Sequence, residues 1–316
     1  MNLIATSLTS ESQKQYESPF KDWDESSWIR SKPLREVSFS GLLFRPELTP
    51  LAWHPKISKE PDLYKAILAY RLLENIQLTS LIELNYVNPI CRDLVQEKTV
   101  INLTKEQRLD ALKIYCDEGG HSFVMEWFVQ QVETISGLNH KVLEQPHFEL
   151  NFQKLVDAEY NLSPNLIKLF MTTILETLYV EAYSAIPQDE RIAPAVRAVI
   201  EDHITDENKH DIYFRGIFTL LWNSLSELKK EQVGQLLPKM VRTFLEPDQI
   251  AAHNILQYLG FSTVDSDRIL EEVYVPEKIT QNIRRAAKPV LRMFEESGVF
   301  SISSVKQGFE NYQLIA

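Results

Sequence analysis

From Pro61 onward, apolar positions recur with a helical period: Tyr64, Ile67, Leu68, Leu72, Ile76, Leu78 and Ile82 fall on one side of a 3.6-residue turn. This pattern predicts a helix from about Pro61 to near Tyr86, which Pro89 then kinks or ends. Thr104-Lys-Glu-Gln107 reads as a capping box. The helix it opens runs through Glu118 to about Ser136, where Gly137 offers a stop. Ser163-Pro164 supplies an N-cap and a first-turn proline for a third helix that ends before Pro187. A fourth runs from about Ile192 to Ser224, so four long helices span 61–226. Residues 228–300 predict two or three more, with Pro238, Pro247 and Pro276 as breaks. Strand signals are few. The expectation is an all-α protein with a four-helix bundle at its centre, within a single domain of residues 1–316.

Residues 1 to about 60 break this pattern. They are polar and punctuated by Pro19, Pro33, Pro46, Pro50 and Pro55, yet they hold Trp23, Trp28 and Trp53. Aromatics would be wasted on a free tail, so this stretch predicts an irregular arm lying against the body. The formal charge of −11 argues against a nucleic-acid partner, since phosphate binding needs a positive surface. Cys91 and Cys116 are the only cysteines, which suggests a reducing compartment, and both read as small apolar residues. Neither a signal peptide nor a run of 18 apolar residues is present, so the expectation is a cytoplasmic protein with no membrane span.

The candidate chemistry lies on the second and fourth helices. Asp117-Glu118-Gly-Gly-His121 and Asp206-Glu207-Asn-Lys-His210 are both D-E-x-x-H, with Glu and His at i, i+3 on one face. His203 stands four residues before Glu207, and at about 100° per residue His203, Glu207 and His210 point the same way. Each motif has a candidate carboxylate on the preceding helix. Glu83 lies 35 residues before Glu118, and Glu176 lies 31 before Glu207, both in apolar segments where a lone carboxylate is costly unless it binds metal. Glu74 and Glu181 are their rivals, one breaking the matched separation and the other facing elsewhere. A Glu from each of two helices plus Glu-x-x-His from the other two is the ligand set of ferritin-like di-iron bundles. Asp117 and Asp206 are candidates to accept the outer N–H of a ligating His. His54, His140, His147 and His253 share no such spacing and read as structural or surface residues.

The paired Glu…D-E-x-x-H pattern with His203 resembles the non-haem di-iron N-oxygenases related to p-aminobenzoate N-oxygenase. The resemblance covers roughly residues 60 to 226. It implies a ferritin-like four-helix bundle core with additional N- and C-terminal helices, and a site of four Glu and three His. Those ligands would be Glu83, Glu118, His121, Glu176, His203, Glu207 and His210, holding two Fe ions with O2 as co-substrate. It also implies a homodimer and an attack on an amine nitrogen giving hydroxylamine, nitroso or nitro products, as in secondary-metabolite biosynthesis.

No flavin or nicotinamide fingerprint is visible, so electrons must come from an external donor. No arginine lies within one turn of Glu83, Glu118 or Glu176 to clamp an aryl carboxylate, which turns the reading from free p-aminobenzoate towards an aryl or amino-acid-derived amine, free or on a carrier protein. Thr172, Thr173, Ser122 and Met125 are pocket candidates, and Gly119-Gly120 predicts either close helix–helix contact or space beside the metals for oxygen or substrate. Tyr86, Tyr115, Tyr179 and Tyr183 lie near ligands in sequence, and one of them as a radical site would make the chain a radical-generating subunit. The same ligand pattern would also suit a di-iron hydroxylase or a ferritin-like iron-storage protein. A helical interaction protein without metal would leave four buried carboxylates unexplained.

Overall fold

The computed structural model describes residues 16–34 and 38–315, and for 179–182 the backbone alone. In the arm, α1 (Trp23–Ser26), α2 (Trp28–Ser31) and α3 (Pro55–Ser58) are single turns, with 3-10 turns at Pro46–Leu48 and Pro50–Trp53. Among the described residues of the arm, the prolines at 46, 50 and 55 each open a short turn at a position where no N–H is needed.

The first bundle helix, α4 (Pro61–Ile82), does not end near Tyr86. It passes through a π-helical turn, Glu83–Val87, into α5 (Asn88–Val95). The Asn88 N–H donates to the Glu83 carbonyl five residues back. That wider turn relieves the crowding a proline ring at 89 imposes on the carbonyl of residue 85, and the chain stays helical. The second helix, α6 (Lys105–Ser136), opens on the expected capping box: the Thr104 hydroxyl accepts from Gln107 N at 3.2 Å, and Thr104 N donates to Gln107 Oε1 at 2.9 Å. Gly137 at φ 69° closes it in the left-handed conformation.

A helix not foreseen, α7 (His147–Ala158), precedes α8 (Pro164–Tyr183) and α9 (Pro194–Ser224). Ile192 forms an isolated bridge with Leu42 of the arm, and no strand is present among the described residues. Residues 228–300 hold five α-helices rather than two or three, α10 (Glu227–Leu245), α11 (Gln249–Tyr258), α12 (Thr263–Val273), α13 (Pro276–Ala286) and α14 (Lys288–Glu296), and α15 (Ser303–Asn311) follows them. Pro238 is not a break but lies inside α10, where burial of its ring offsets the lost hydrogen bond. Gly260 and Gly298, at φ 94° and 79°, cut the remainder into short helices.

α4 packs on α6, and α8 on α9. Two apolar clusters fill the interior. α6 gives Ala111 and Ile114 to one and Val124, Met125 and Phe128 to the other, while α9 gives Tyr213 and Phe214 to the first and Val196 and Ile200 to the second. The two helices cross from one cluster to the other at Asp117–Ser122 and Asp202–His210. A layer of buried acids and imidazoles lies there, between two apolar cores.

Candidate metal centre

Each functional side chain is placed by the local fold. Glu83 is the first residue of the π turn, where the wider helix re-aims the side chains that follow. Glu118 and His121 are one turn apart on α6, Glu176 is on α8, and His203, Glu207 and His210 form one face of α9. All seven are buried, none more than 4% exposed.

The structure brings all seven together in two groups. Glu83, His121, His203 and Glu207 each offer a donor atom within 4.8 Å of the others, and so do Glu118, Glu176, Glu207 and His210. His203 Nε2 lies 3.1 Å from both Glu83 Oε1 and Glu207 Oε1. His210 Nδ1 lies 2.9 Å from Glu118 Oε1, 3.3 Å from Glu207 Oε1 and 3.7 Å from Glu176 Oε2. Glu118 reaches both groups, its Oε2 standing 3.6 Å from His121 Nδ1. An ion with bonds of about 2 Å sets neighbouring donors about 3 Å apart, so these spacings fit.

The donor set also fits the charge and the missing hydrogen bonds. His121 Nδ1, His210 Nδ1 and both Glu118 oxygens are buried with no hydrogen bond. Such atoms are expensive unless something between them takes their lone pairs. Four carboxylates beside three neutral imidazoles balance two divalent cations. Without a cation, the imidazoles take up the role of counter-charge: although burial opposes it, pairing with Asp206, Glu118 and Glu207 holds His121 well above its ordinary range, and Glu207 and Glu118 do the same for His210. Burial, then the charges of Glu207 and Glu118, push Glu176 well above the usual carboxylate range, and burial pushes Glu83 up.

Behind the imidazoles the two motifs cross. His121 Nε2 faces Asp206 Oδ2 at 3.2 Å, and His210 Nε2 faces Asp117 Oδ2 at 3.4 Å. Each Asp therefore fixes the ring of the opposite motif, and its carboxylate holds the N–H outward so that Nδ1 points into the site. The arm secures both acids. Asp117 accepts from Trp23 Nε1 at 2.8 Å and Ser27 Oγ at 2.6 Å, and Asp206 accepts from Trp28 N at 2.9 Å. Phe20 lies against His210, and Trp28 lies against His121 and His203, with centroids 6.0, 5.7 and 6.4 Å apart. Sequence reasoning missed these arm residues as parts of the site; their tryptophans were the only signal.

The remaining candidates divide. Ser122 Oγ donates to Glu83 Oε2 at 2.7 Å and belongs to the site. Thr172 and Thr173 spend their hydroxyls on carbonyls of their own helix, and Met125 lies in one of the apolar clusters. Glu74 pairs with Arg71 at 2.8 Å, away from the ligands, and the side chains of Glu181 and Tyr179 lie outside the described residues. Tyr86 packs on Phe148 and Phe152, Tyr183 bonds Asn75, and Tyr115 is exposed. Among the remaining histidines, His54 pairs with Glu272, His140 with Glu133 and His253 with Asp267, while His147 lies beside Asn151. Cys91 is buried as expected, but Cys116 is exposed.

Gly119-Gly120 does not open onto the ligands. Gly119 faces outward with nothing within 4 Å of a Cβ, whereas a Cβ on Gly120 would meet Ile29 Cγ2 at 1.7 Å. The pair admits the arm, not a substrate.

The fold and donor set define a class: helical-bundle proteins with a buried carboxylate–histidine site able to hold metal. The family model described as p-aminobenzoate N-oxygenase AurF matches residues 2–298, and the chain belongs to that family of oxygenases. No curated protein matches the chain. No helix among the described residues is long and apolar enough to cross a membrane.

Proposed function

We propose that the chain is a non-haem di-iron N-oxygenase that uses O2 to oxidise an amine to a hydroxylamine, nitroso or nitro product in secondary-metabolite biosynthesis. The observation that carries this reading is the pair of four-residue donor groups sharing Glu207, in a chain of this family. Glu83, His121 and His203 would hold one iron, Glu176 and His210 the other, with Glu118 and Glu207 between them. Two ferrous ions supply the two electrons that the first reduction of O2 takes.

The chain's own part is to position and to exclude. Asp117 and Asp206 hold the outer N–H of His210 and His121, which keeps each Nδ1 free to donate its lone pair inward. Ser122 donates to Glu83 and limits its rotation. The apolar clusters on either side keep water from the reacting atoms. The amine, aryl or amino-acid-derived, arrives free or on a carrier protein. An external donor returns the electrons, and the enzyme works as a homodimer, which the mass in solution would test.

Iron analysis of the purified protein, followed by turnover with O2 and a panel of amines, tests the proposal. Two irons per chain with amine-dependent O2 uptake and N-oxygenated product is the expected result. Absence of iron ends the reading, and many irons per chain with turnover lacking an amine would point to storage.

A further inference from the structure

The proposed oxygenase needs electrons from outside, and one of the two aspartates connects the site to the surface. Asp117 accepts from the indole N–H of Trp23, with both carboxylate oxygens at 2.8 Å. Its Oδ2 also faces His210 Nε2 at 3.4 Å, and the other nitrogen of that ring points into the donor group with Glu118, Glu176 and Glu207. A continuous chain of indole, carboxylate and imidazole thus runs from Trp23 to the buried site. Trp23 is half-buried, and its ring lines a surface groove beside Leu109, Leu112 and Cys116.

The equivalent link on the other side ends differently. Asp206 faces His121, but its arm contact is the backbone N–H of Trp28, a residue only 4% exposed. That chain stops inside the protein. Of the two, the Trp23 chain is the one that ends in an aromatic ring open to the outside. Hydrogen bonds through a low-dielectric interior polarise one another, and they couple the groups they join better than a gap does.

We infer that Trp23, Asp117 and His210 form the electron-entry route to the metal site, an inference that rests on the di-iron reading. The donor is a one-electron carrier of the iron–sulfur or flavin class. Each transfer oxidises the donor by one electron and reduces one ferric ion to ferrous, and two transfers restore the diferrous pair. No bond of the chain breaks, and Asp117 stays a carboxylate throughout. The Arg30 guanidinium lies 4.9 Å over the Trp23 ring and is paired with Asp24 at 3.0 Å, which holds the indole in place above Asp117. Trp23 is a positioning and conducting residue, not one that touches substrate.

The test is anaerobic stopped-flow reduction of the iron-loaded ferric protein by a reduced viologen, with iron content and reduction potential measured beside it. Trp23→Phe, which keeps a ring but loses the N–H, should retain the parent's iron and potential and be reduced about tenfold more slowly or worse, the scale on which outer-shell partners act. Trp23→His, whose imidazole N–H can reach Asp117, should recover part of the rate. Trp53→Phe is the control, because that exposed arm indole donates to the Pro46 carbonyl, and it should match the parent. Reduction of Trp23→Phe at the parent rate overturns the route. So does a slowing fully explained by a shifted potential, which would mean that Trp23 only sets the electrostatics of Asp117. A parent protein without iron fails the di-iron reading itself, a result distinct from either.

Discussion

Asp117-Glu118-Gly119-Gly120-His121 on α6 and Asp206-Glu207-Asn208-Lys209-His210 on α9 present acid, acid and imidazole at one spacing, yet their surroundings differ. The group containing His121 has two imidazoles and two carboxylates, because His203 joins it. The group containing His210 has one imidazole and three carboxylates. The upstream glutamates differ too, Glu83 standing on a π turn and Glu176 on a regular α-helix. The arm meets the two motifs in different ways. It slides Ile29 over Gly120 on α6, and on α9 it is clasped by Lys209, whose Nζ lies 2.5 Å from Ser26 Oγ and 3.3 Å from Asp22 Oδ1. One spacing thus serves two unequal donor sets, one richer in nitrogen and the other in oxygen.

The largest break comes from the shared ligand. Glu207→Ala removes a donor from both groups at once and should lose nearly all iron and all oxygenase activity while staying helical. Glu118→Ala, which removes the other carboxylate reaching both imidazoles, should do the same. Glu176→Ala touches only the oxygen-rich group and should keep about one iron per chain on the nitrogen-rich side. Iron analysis separates these cases, and equal iron loss in Glu176→Ala and Glu207→Ala would deny that the groups are distinct. Without iron the variants should differ in stability: Glu176, held neutral by burial, is lost at little cost, whereas Glu207→Ala and Glu118→Ala strip His210 and its neighbouring imidazoles of an acid partner and should destabilise the apo form.

His203→Ala levels the two sides. It leaves Glu83, His121 and Glu207 on the nitrogen-rich side, one imidazole with two carboxylates. We expect close to two irons and continued O2 uptake, with product per O2 consumed falling by about tenfold or more because the added imidazole tunes the oxidant towards nitrogen. If the variant oxygenates its amine at the parent rate, His203 has no such role.

The crossed aspartates carry a smaller effect. Asp206→Asn and Asp117→Asn should each weaken metal binding by about 10–100-fold in a chelator competition, the usual cost of an outer partner of a ligating His. Asp117→Asn should also loosen the arm, because Trp23 and Ser27 lose their common acceptor, and protease cleavage before residue 34 would report that. Cleavage at the same rate in both variants would show that the arm does not depend on Asp117.

The legible and illegible parts of this site have a physical division. Glu83 and Glu176 stand out in the sequence only as carboxylates in apolar segments, and the complete set of seven ligands is what the family resemblance implies. The other five candidates, Glu118, His121, His203, Glu207 and His210, can be found in the sequence because i, i+3, i+4 and i+7 spacing on a helix is a statement about one face. The capping box at Thr104 is legible for the same reason. The crossing of Asp117 to His210 and Asp206 to His121 is not, since it depends on how α6 and α9 face each other across the core. The arm contacts span 90 to 178 residues of sequence and have no periodic signature. Pro89 reads as a kink or a stop because a proline costs an α-helix a hydrogen bond, but a π turn, opened by the buried Glu83, absorbs that cost and the chain stays helical.

The smallest expected effect sharpens the contrast at the x-x positions. Between Glu118 and His121 stand two glycines, which should cost the helix about 2 kcal/mol together relative to alanine. Taken alone, that cost suggests a space for oxygen or substrate, but the two glycines do different things. Gly119 is exposed with open space around it, so Gly119→Ala should stabilise α6 by about 1 kcal/mol, with iron and turnover unchanged. Gly120 lies under Ile29, and any side chain there must displace the Ile29 side chain on α2. Gly120→Leu should therefore destabilise by about 1–3 kcal/mol in thermal unfolding, as overpacking does, with Ile29→Ala recovering part of the loss in a double-mutant cycle. Because α2 carries the Trp28 N–H that holds Asp206, displacement of the arm should also weaken iron on the His121 side before the His210 side. Full stability and iron in Gly120→Leu with turnover lost would return the pair to a substrate role and remove Gly120 as a seat for the arm, leaving Lys209 alone to clasp it.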